Sequence, residues 1–192
     1  MPAELQKHIR KFVNIDDTQF NEILPFFKKL TFKKKENLVE EGQICRHQYF
    51  VATGCLRMFF LDGKGVERIT QFALENWWLA DYFSFMKHKP SPFSIQAVEK
   101  SEVWALSHES QVALIEKFPL MIAYFHRVHQ TAHAAHQIRM RHFFDLSKEE
   151  LFLSFSNSFP EFLQRIPQYM LASYLGITPE YLSELRAKHA AS

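Results

Sequence analysis

Four histidines, His126, His129, His133 and His136, recur at 3-4-3 spacing and would share one face of a helix. Imidazole is a common metal ligand and the side chain that titrates nearest neutral pH, so such a row suits a metal site or a protonation switch. No carboxylate or cysteine accompanies it, and the plainer reading is a partly exposed row beside a helix seam; no metal is assigned. Cys45 and Cys55 are too few and wrongly spaced for a thiolate metal site or a disulfide framework and read as buried thiols on strands. No Ser-His-Asp set, Gly-rich phosphate loop or paired carboxylates stand out, so no residue is assigned a catalytic role and no enzyme is expected. The remaining chemistry lies near the C-terminus. There Glu180 can accept a hydrogen bond from cytosine N4 in a major groove. Thr178, Tyr181, Ser183, Glu184 and Arg186 accompany it, and Gln168 and Tyr169, at a helix start, can hold a phosphate.

The element that must position these residues is a helix-turn-helix over 168–185. Leu171, Leu175, Ile177, Leu182 and Leu185 supply its apolar places, and Ala172 is small where the two helices cross. Gly176 stands where the turn requires a positive φ. Thr178 can cap the second helix, and Pro179 suits its first position, where no N–H is needed. A second helix set this way is a usual reader of the major groove. The charge balance opposes that use: 147–192 holds four basic residues against five acidic ones, whereas phosphate contact normally supplies much of the affinity for DNA.

Upstream, the chain reads in three parts. Leu5, Ile9, Phe12 and Val13 share a helical face, and Asp16 or Asp17 caps a second helix that Pro25 interrupts. Lys28, Lys29, Lys33, Lys34 and Lys35 form a basic edge or turn. From Leu30 to Ser107 short aromatic and β-branched runs alternate with turns, the strongest being Asp62-Gly63 between two apolar runs. This spacing implies a small barrel or roll. A long helix over 119–144 follows, with Met121, Phe125, Val128, Ala132 and Ala135 at 4-3-4-3 spacing as the expected dimer interface. The histidine row lies roughly 100° round from that seam. Ser147 and Glu150 form a capping box for the next helix, which makes Asp145-Leu146 the expected hinge.

The 192 residues carry a net charge of +2, are 47% hydrophobic and include 20 Phe, material for an aromatic-rich core. No apolar run approaches the roughly 20 residues that span a bilayer, and the first residues lack the order of a signal peptide. The protein is expected in the cytoplasm, with no membrane partner.

A β-roll, a long helix and a C-terminal helix-turn-helix, in that order, resemble the cyclic-AMP receptor protein/FNR (Crp/Fnr) family of transcription regulators. Tyr49-Phe50-Val51 with Gly54-Cys55-Leu56-Arg57 is similar to the family's strand-turn-strand. Asp62–Glu67 looks like its next hairpin, and Ala97–Val103 its late strand. The likeness runs from about residue 15 to 190, is strongest over 166–186, and is to a short subgroup in which little chain remains for a C-terminal wing. It implies an α+β fold: an N-terminal β-roll (a double-stranded β-helix of cyclic-nucleotide-binding type) and dimerisation helix within 1–145, then a helix-turn-helix DNA-binding domain over 146–192.

The resemblance also implies a homodimer acting on double-stranded DNA, with RNA polymerase as a further partner. The family's phosphate-binding cassette pairs Gly-Glu with Arg-Ser/Thr-Ala. Here the matching positions are Ala80-Asp81 and Ser91-Pro92-Phe93, which with Tyr82 mark the expected effector pocket. The cassette arginine is absent, Pro92 removes a backbone donor and Phe93 replaces a methyl, so no cyclic AMP and no other cofactor is expected, and this pocket is either filled by its own aromatics or takes an uncharged or apolar ligand. Trp77, Trp78, Phe83 and Phe85 would line or plug the pocket, or serve as core. At the start of the recognition helix only Glu180 survives of the family's pattern, and Glu184 stands where an arginine would read guanine. The alternative reading is a protein–protein adaptor or sensor of the same fold without DNA binding.

Overall fold

The computed structural model describes residues 2–190. Contacts divide the chain into two compact units: one runs up to Phe60 and resumes over Gln71–Thr131, the other joins Leu61–Thr70 to the chain from Ala132 onward.

The first unit opens with α1 (Ala3–Arg10) and α2 (Asp17–Ile23). Asp16 caps α2 in a box closed by Gln19, and Pro25 lies in the 3-10 turn Leu24–Phe26 that ends the helix. The strands are β1 (Lys28–Phe32), β2 (Asn37–Val39), β3 (His47–Thr53), β4 (Leu56–Leu61), β5 (Glu67–Ala73), β6 (Trp78–Leu79), β7 (Ser94–Ala97) and β8 (Ser101–Ser107). They form two four-stranded sheets, ordered β1-β8-β3-β6 and β2-β7-β4-β5. Alternation explains why β3 is buried on both faces. Tyr49 and Val51 join Val39, Leu56, Ile95, Val103 and Ala105 in one core, while Phe50 joins a second core with helical residues. That second core holds Leu5, Ile9, Phe20 and Ile23 against Leu106, Leu114, Met121, Tyr124, Phe125 and Val128. Gly54 turns β3 into β4 at φ +96°, where an added Cβ would stand 2.7 Å from the Lys100 carbonyl; only glycine fits.

Helix α3 (Tyr82–Lys87) falls inside the strand region, where no helix is expected from the sequence. Six residues rich in aromatics give no helical period, but Asp81 signals it by capping the Phe83 and Ser84 amides. Cys45 and Cys55 are fully buried, as expected, but sit just outside the strands. Helix α4 (His108–Lys117) follows β8, and α5 runs over Leu120–Asp145.

The seam read from the spacing of α5 is corrected by its packing. Met121, Phe125 and Val128 are 0, 3 and 8% exposed within this single chain, because they pack on Leu5, Ile9 and Phe50 of their own unit. Within this chain they are core residues that leave little surface for a partner. Ala132 and Ala135 are exposed.

The second unit contains the β4–β5 turn, the later part of α5, α6 (Lys148–Ser158), α7 (Pro160–Arg165), α8 (Gln168–Leu175) and α9 (Pro179–Ala190). Ser147 and Glu150 form the capping box of α6. Asp62 holds the hairpin turn by accepting from the Lys64 and Val66 amides at 2.9 and 3.0 Å and pairing with Arg68. Leu151, Phe152, Phe162, Ile166, Met170, Leu171, Leu175, Leu182 and Leu185 are buried. No described helix is long and apolar enough to cross a membrane.

Candidate nucleic-acid interface and effector site

The turn between α8 and α9 has the local chemistry its residues dictate. Gly176 adopts φ +67°, and Ile177 N–H returns to the Ala172 carbonyl at 3.0 Å. A Cβ at 176 would press to 3.3 Å of the Phe143 ring. Thr178 Oγ1 accepts from the Tyr181 amide at 3.2 Å, and Leu182 and Leu185 fix the inner face of α9. Thr178, Glu180, Tyr181, Ser183 and Glu184 are left exposed, Arg186 is half-buried, and Gln168 and Tyr169 are exposed at the start of α8. Pro179, Glu180, Ser183, Glu184 and Ala187 line one open groove along α9.

The cations of this unit are mostly engaged. Lys188 Nζ and His189 Nε2 both lie 2.7 Å from Glu149 Oε1, so the end of α9 is tied to α6. The Lys188 and His189 hydrogen bonds hold the Glu149 carboxyl below its ordinary pKa. Lys148 Nζ stands 4.4 Å over the Phe143 ring. Arg139, unremarked in the sequence, is the centre of a clasp. It donates to the carbonyls of Thr70 and Tyr174, and its guanidinium lies 3.9 Å over the Tyr174 ring. Ser173 Oγ accepts from Ile69 N–H at 3.1 Å and donates to the Glu67 carbonyl at 2.8 Å. The hairpin is thus bound to the first helix of the helix-turn-helix. The one sequence signal was an arginine on the inward face of α5, in line with Met121 and Val128. Arg139→Ala should leave two carbonyls without this donor and remove the ring contact, costing about 1–3 kcal/mol locally. Faster amide exchange at Ile69 than in the parent protein checks this; unchanged protection would mean that Ser173 suffices.

In the first unit the six expected pocket residues lie close to one another along the chain but are spent on structure. Ala80 is core. Asp81 is 5% exposed; Oδ1 caps α3 and Oδ2 has no partner. Tyr82 Oη donates to Gln48 Oε1 at 2.8 Å and lies 2.6 Å from His129 Nε2, joining α3 to α5. Ser91 Oγ accepts from Phe93 N–H, and Phe93 meets Phe60 edge-on at 6.1 Å. Pro92 is exposed. Trp77 and Phe83 are 40 and 61% exposed and line nothing inside, whereas Phe85 and Trp78 are packed. A cleft of about 460 Å³ is walled instead by β2, β3 and the turn joining them. Of the four histidines, His129 is committed to Tyr82 while His126, His133 and His136 are exposed, and no cluster of three metal-binding groups occurs among the described residues.

Residues 29–118 match the family model of the cyclic nucleotide-binding domain. Solved structures extend the likeness along the chain. FixK2 from Bradyrhizobium japonicum aligns with a TM-score of 0.72 at 15% identity, over 86% of this chain and 85% of that one. The c-di-GMP-responsive global regulator CLP of Xanthomonas campestris gives 0.69 at 11% identity, over 92% of each chain. A CooA mutant from Carboxydothermus hydrogenoformans gives 0.68 at 13%, over 94% and 86%. At these identities the likeness is one of fold, and the fold is that of Crp/Fnr family regulators. No curated protein matches the sequence significantly.

Proposed function

We propose that the chain is a homodimeric transcription regulator of the cytoplasm that binds double-stranded DNA, works with RNA polymerase and does not respond to cyclic AMP. In this reading 1–145 senses and 146–192 binds DNA. The observation that carries it is the exposed face of α9, with Thr178, Glu180, Tyr181 and Ser183 outward on a helix set by Gly176 and Thr178. Against cyclic AMP stand the missing cassette arginine, an Asp81 carboxylate that already caps α3, and a Ser91–Phe93 segment bonded to itself.

Because Lys188 is paired and Lys148 lies over a ring, few phosphates are neutralised on binding. The dependence of log K on log salt is therefore expected to be shallow, well under the slope of about −10 of a strongly electrostatic repressor. Glu180→Ala should weaken a specific site by about 1–3 kcal/mol and leave nonspecific binding nearly unchanged, while Glu184→Arg should tighten binding to all DNA. Selection from genomic fragments at about physiological salt is the test, with enrichment of a common sequence expected. A second reading has its own support: Glu180 and Glu184 make the α9 groove acidic, which suits a basic protein partner. Failure to enrich any sequence, with or without cell extract, would favour that adaptor.

A further inference from the structure

We propose that the cleft where β2, β3 and the turn between them meet binds a small amphipathic carboxylate, with Arg46 as the residue that holds its anionic group. The cleft measures about 460 Å³, within the range of small-molecule sites. Leu38, Val39, Ile44 and Tyr49 are its apolar lining residues, the Tyr49 hydroxyl donating to the Leu38 carbonyl at 3.4 Å. Gln43, Arg46 and His47 are its polar lining residues. Arg46 is exposed, and no described acidic side chain is paired with it. Glu40 is engaged by Asn37 and Gln43 at 3.3 and 3.4 Å.

A guanidinium fork matches a carboxylate with two parallel hydrogen bonds. One such cation balances one negative charge; a phosphate monoester would bring about two. The surroundings agree. The half-buried His47 has its pKa lowered first by burial and then by the positive field of Lys28, with Arg46 adding to it and Glu109 opposing. A bound anion would favour its imidazolium form.

Occupancy would be felt elsewhere in the same unit. The turn is stapled to the segment around α3: Cys45 N–H donates to Ser84 Oγ at 2.9 Å, Gly42 N–H to the Ser91 carbonyl and Ser91 N–H to the Gln43 carbonyl, both at 2.8 Å. Tyr82 then joins α3 to His129 on α5. The cleft is therefore the effector site of the regulator proposed above; that role rests on the regulator reading, whereas binding itself does not.

The test titrates the whole protein, without DNA, with benzoate and hexanoate, using benzyl alcohol and hexanol as neutral counterparts. Both acids are expected to bind with dissociation constants of about 1 mM or tighter by calorimetry, and the alcohols about tenfold more weakly. Saturation with acid should move the His47 ring titration to higher pH. Arg46→Gln should weaken the acids about tenfold or more, and Arg46→Lys less, as the fork is lost but the charge kept. The absence of binding by both acids, equal binding of acids and alcohols, or unchanged affinity in Arg46→Gln would each overturn the assignment. Loss of DNA binding by the same preparations would count against the regulator and leave the cleft untouched.

Discussion

Val128→Glu is expected to unfold the first unit rather than to separate two subunits. Val128 is 8% exposed and packs in the core built from Leu5, Ile9, Phe50 and Phe125. A carboxylate there loses its water, at a penalty of several kcal/mol, with the lost packing added. Against a typical domain stability of about 5–15 kcal/mol this is a large fraction. In the part of α5 that belongs to the second unit, Ala134 and Ile138 are exposed, Ile138 57% so, on a face roughly 100–140° round from the apolar seam. Ile138→Lys, beside Arg141, should put like charges across a two-fold axis and yield a folded monomer. Light scattering with thermal melts separates the cases. A folded monomer from Val128→Glu, or an intact dimer from Ile138→Lys, would contradict this use of α5.

Acid should destabilise the same unit well above the range of carboxylate titration. His8 Nδ1 lies 2.8 Å from Tyr124 Oη, which also accepts from Trp78 Nε1 at 2.9 Å. With the indole donating, the tyrosine proton is free to point at His8, whose Nδ1 must then be an acceptor and the ring neutral. Burial, aided by Lys11, lowers the His8 pKa from 6.5 to about 4. The unfolded chain binds this proton near pH 6.5 and the folded one only near pH 4. The contribution is therefore complete above pH 6.5 and is lost as pH falls toward 4, by about 3 kcal/mol in all. His47 and His129, also lowered chiefly by burial, act in the same direction. Urea midpoints at pH 7 and pH 5 measure the loss, and His8→Leu should remove the larger part of their difference. An equal difference in that variant would locate the effect elsewhere.

The contrast between the helix-turn-helix and the α5 seam shows what a sequence displays. Gly176, Thr178 and Pro179 act on their own backbone, so their residue types suffice to place the turn. Met121, Phe125 and Val128 state only that one side of α5 is apolar; a helix covered by its own sheet and one covered by a partner give the same period. The hairpin at Asp62 was legible through its turn chemistry, yet its clasp was not. Arg139 and Ser173 find their partners 69 and 106 residues away, through carbonyls that every residue possesses. The pair His8 and Tyr124, 116 residues apart, is hidden for the same reason. The cassette positions are legible by alignment of residue types, whereas the claim of the Phe83 and Ser84 amides on Asp81 Oδ1 is visible only once α3 is formed.

The clasp also sets a timetable. Glu67 must wait for Ser173, 106 residues downstream. At synthesis rates of about 5–20 residues per second, that is roughly 5–20 s during which the Glu67 carbonyl and the Ile69 amide stand without their final partner. Loss of the last helices through a premature stop would leave that strand segment permanently uncovered, an exposed edge of the kind that recruits other chains. The helix-turn-helix is then more than a cargo at the end of the chain: its arrival closes a surface laid down long before it.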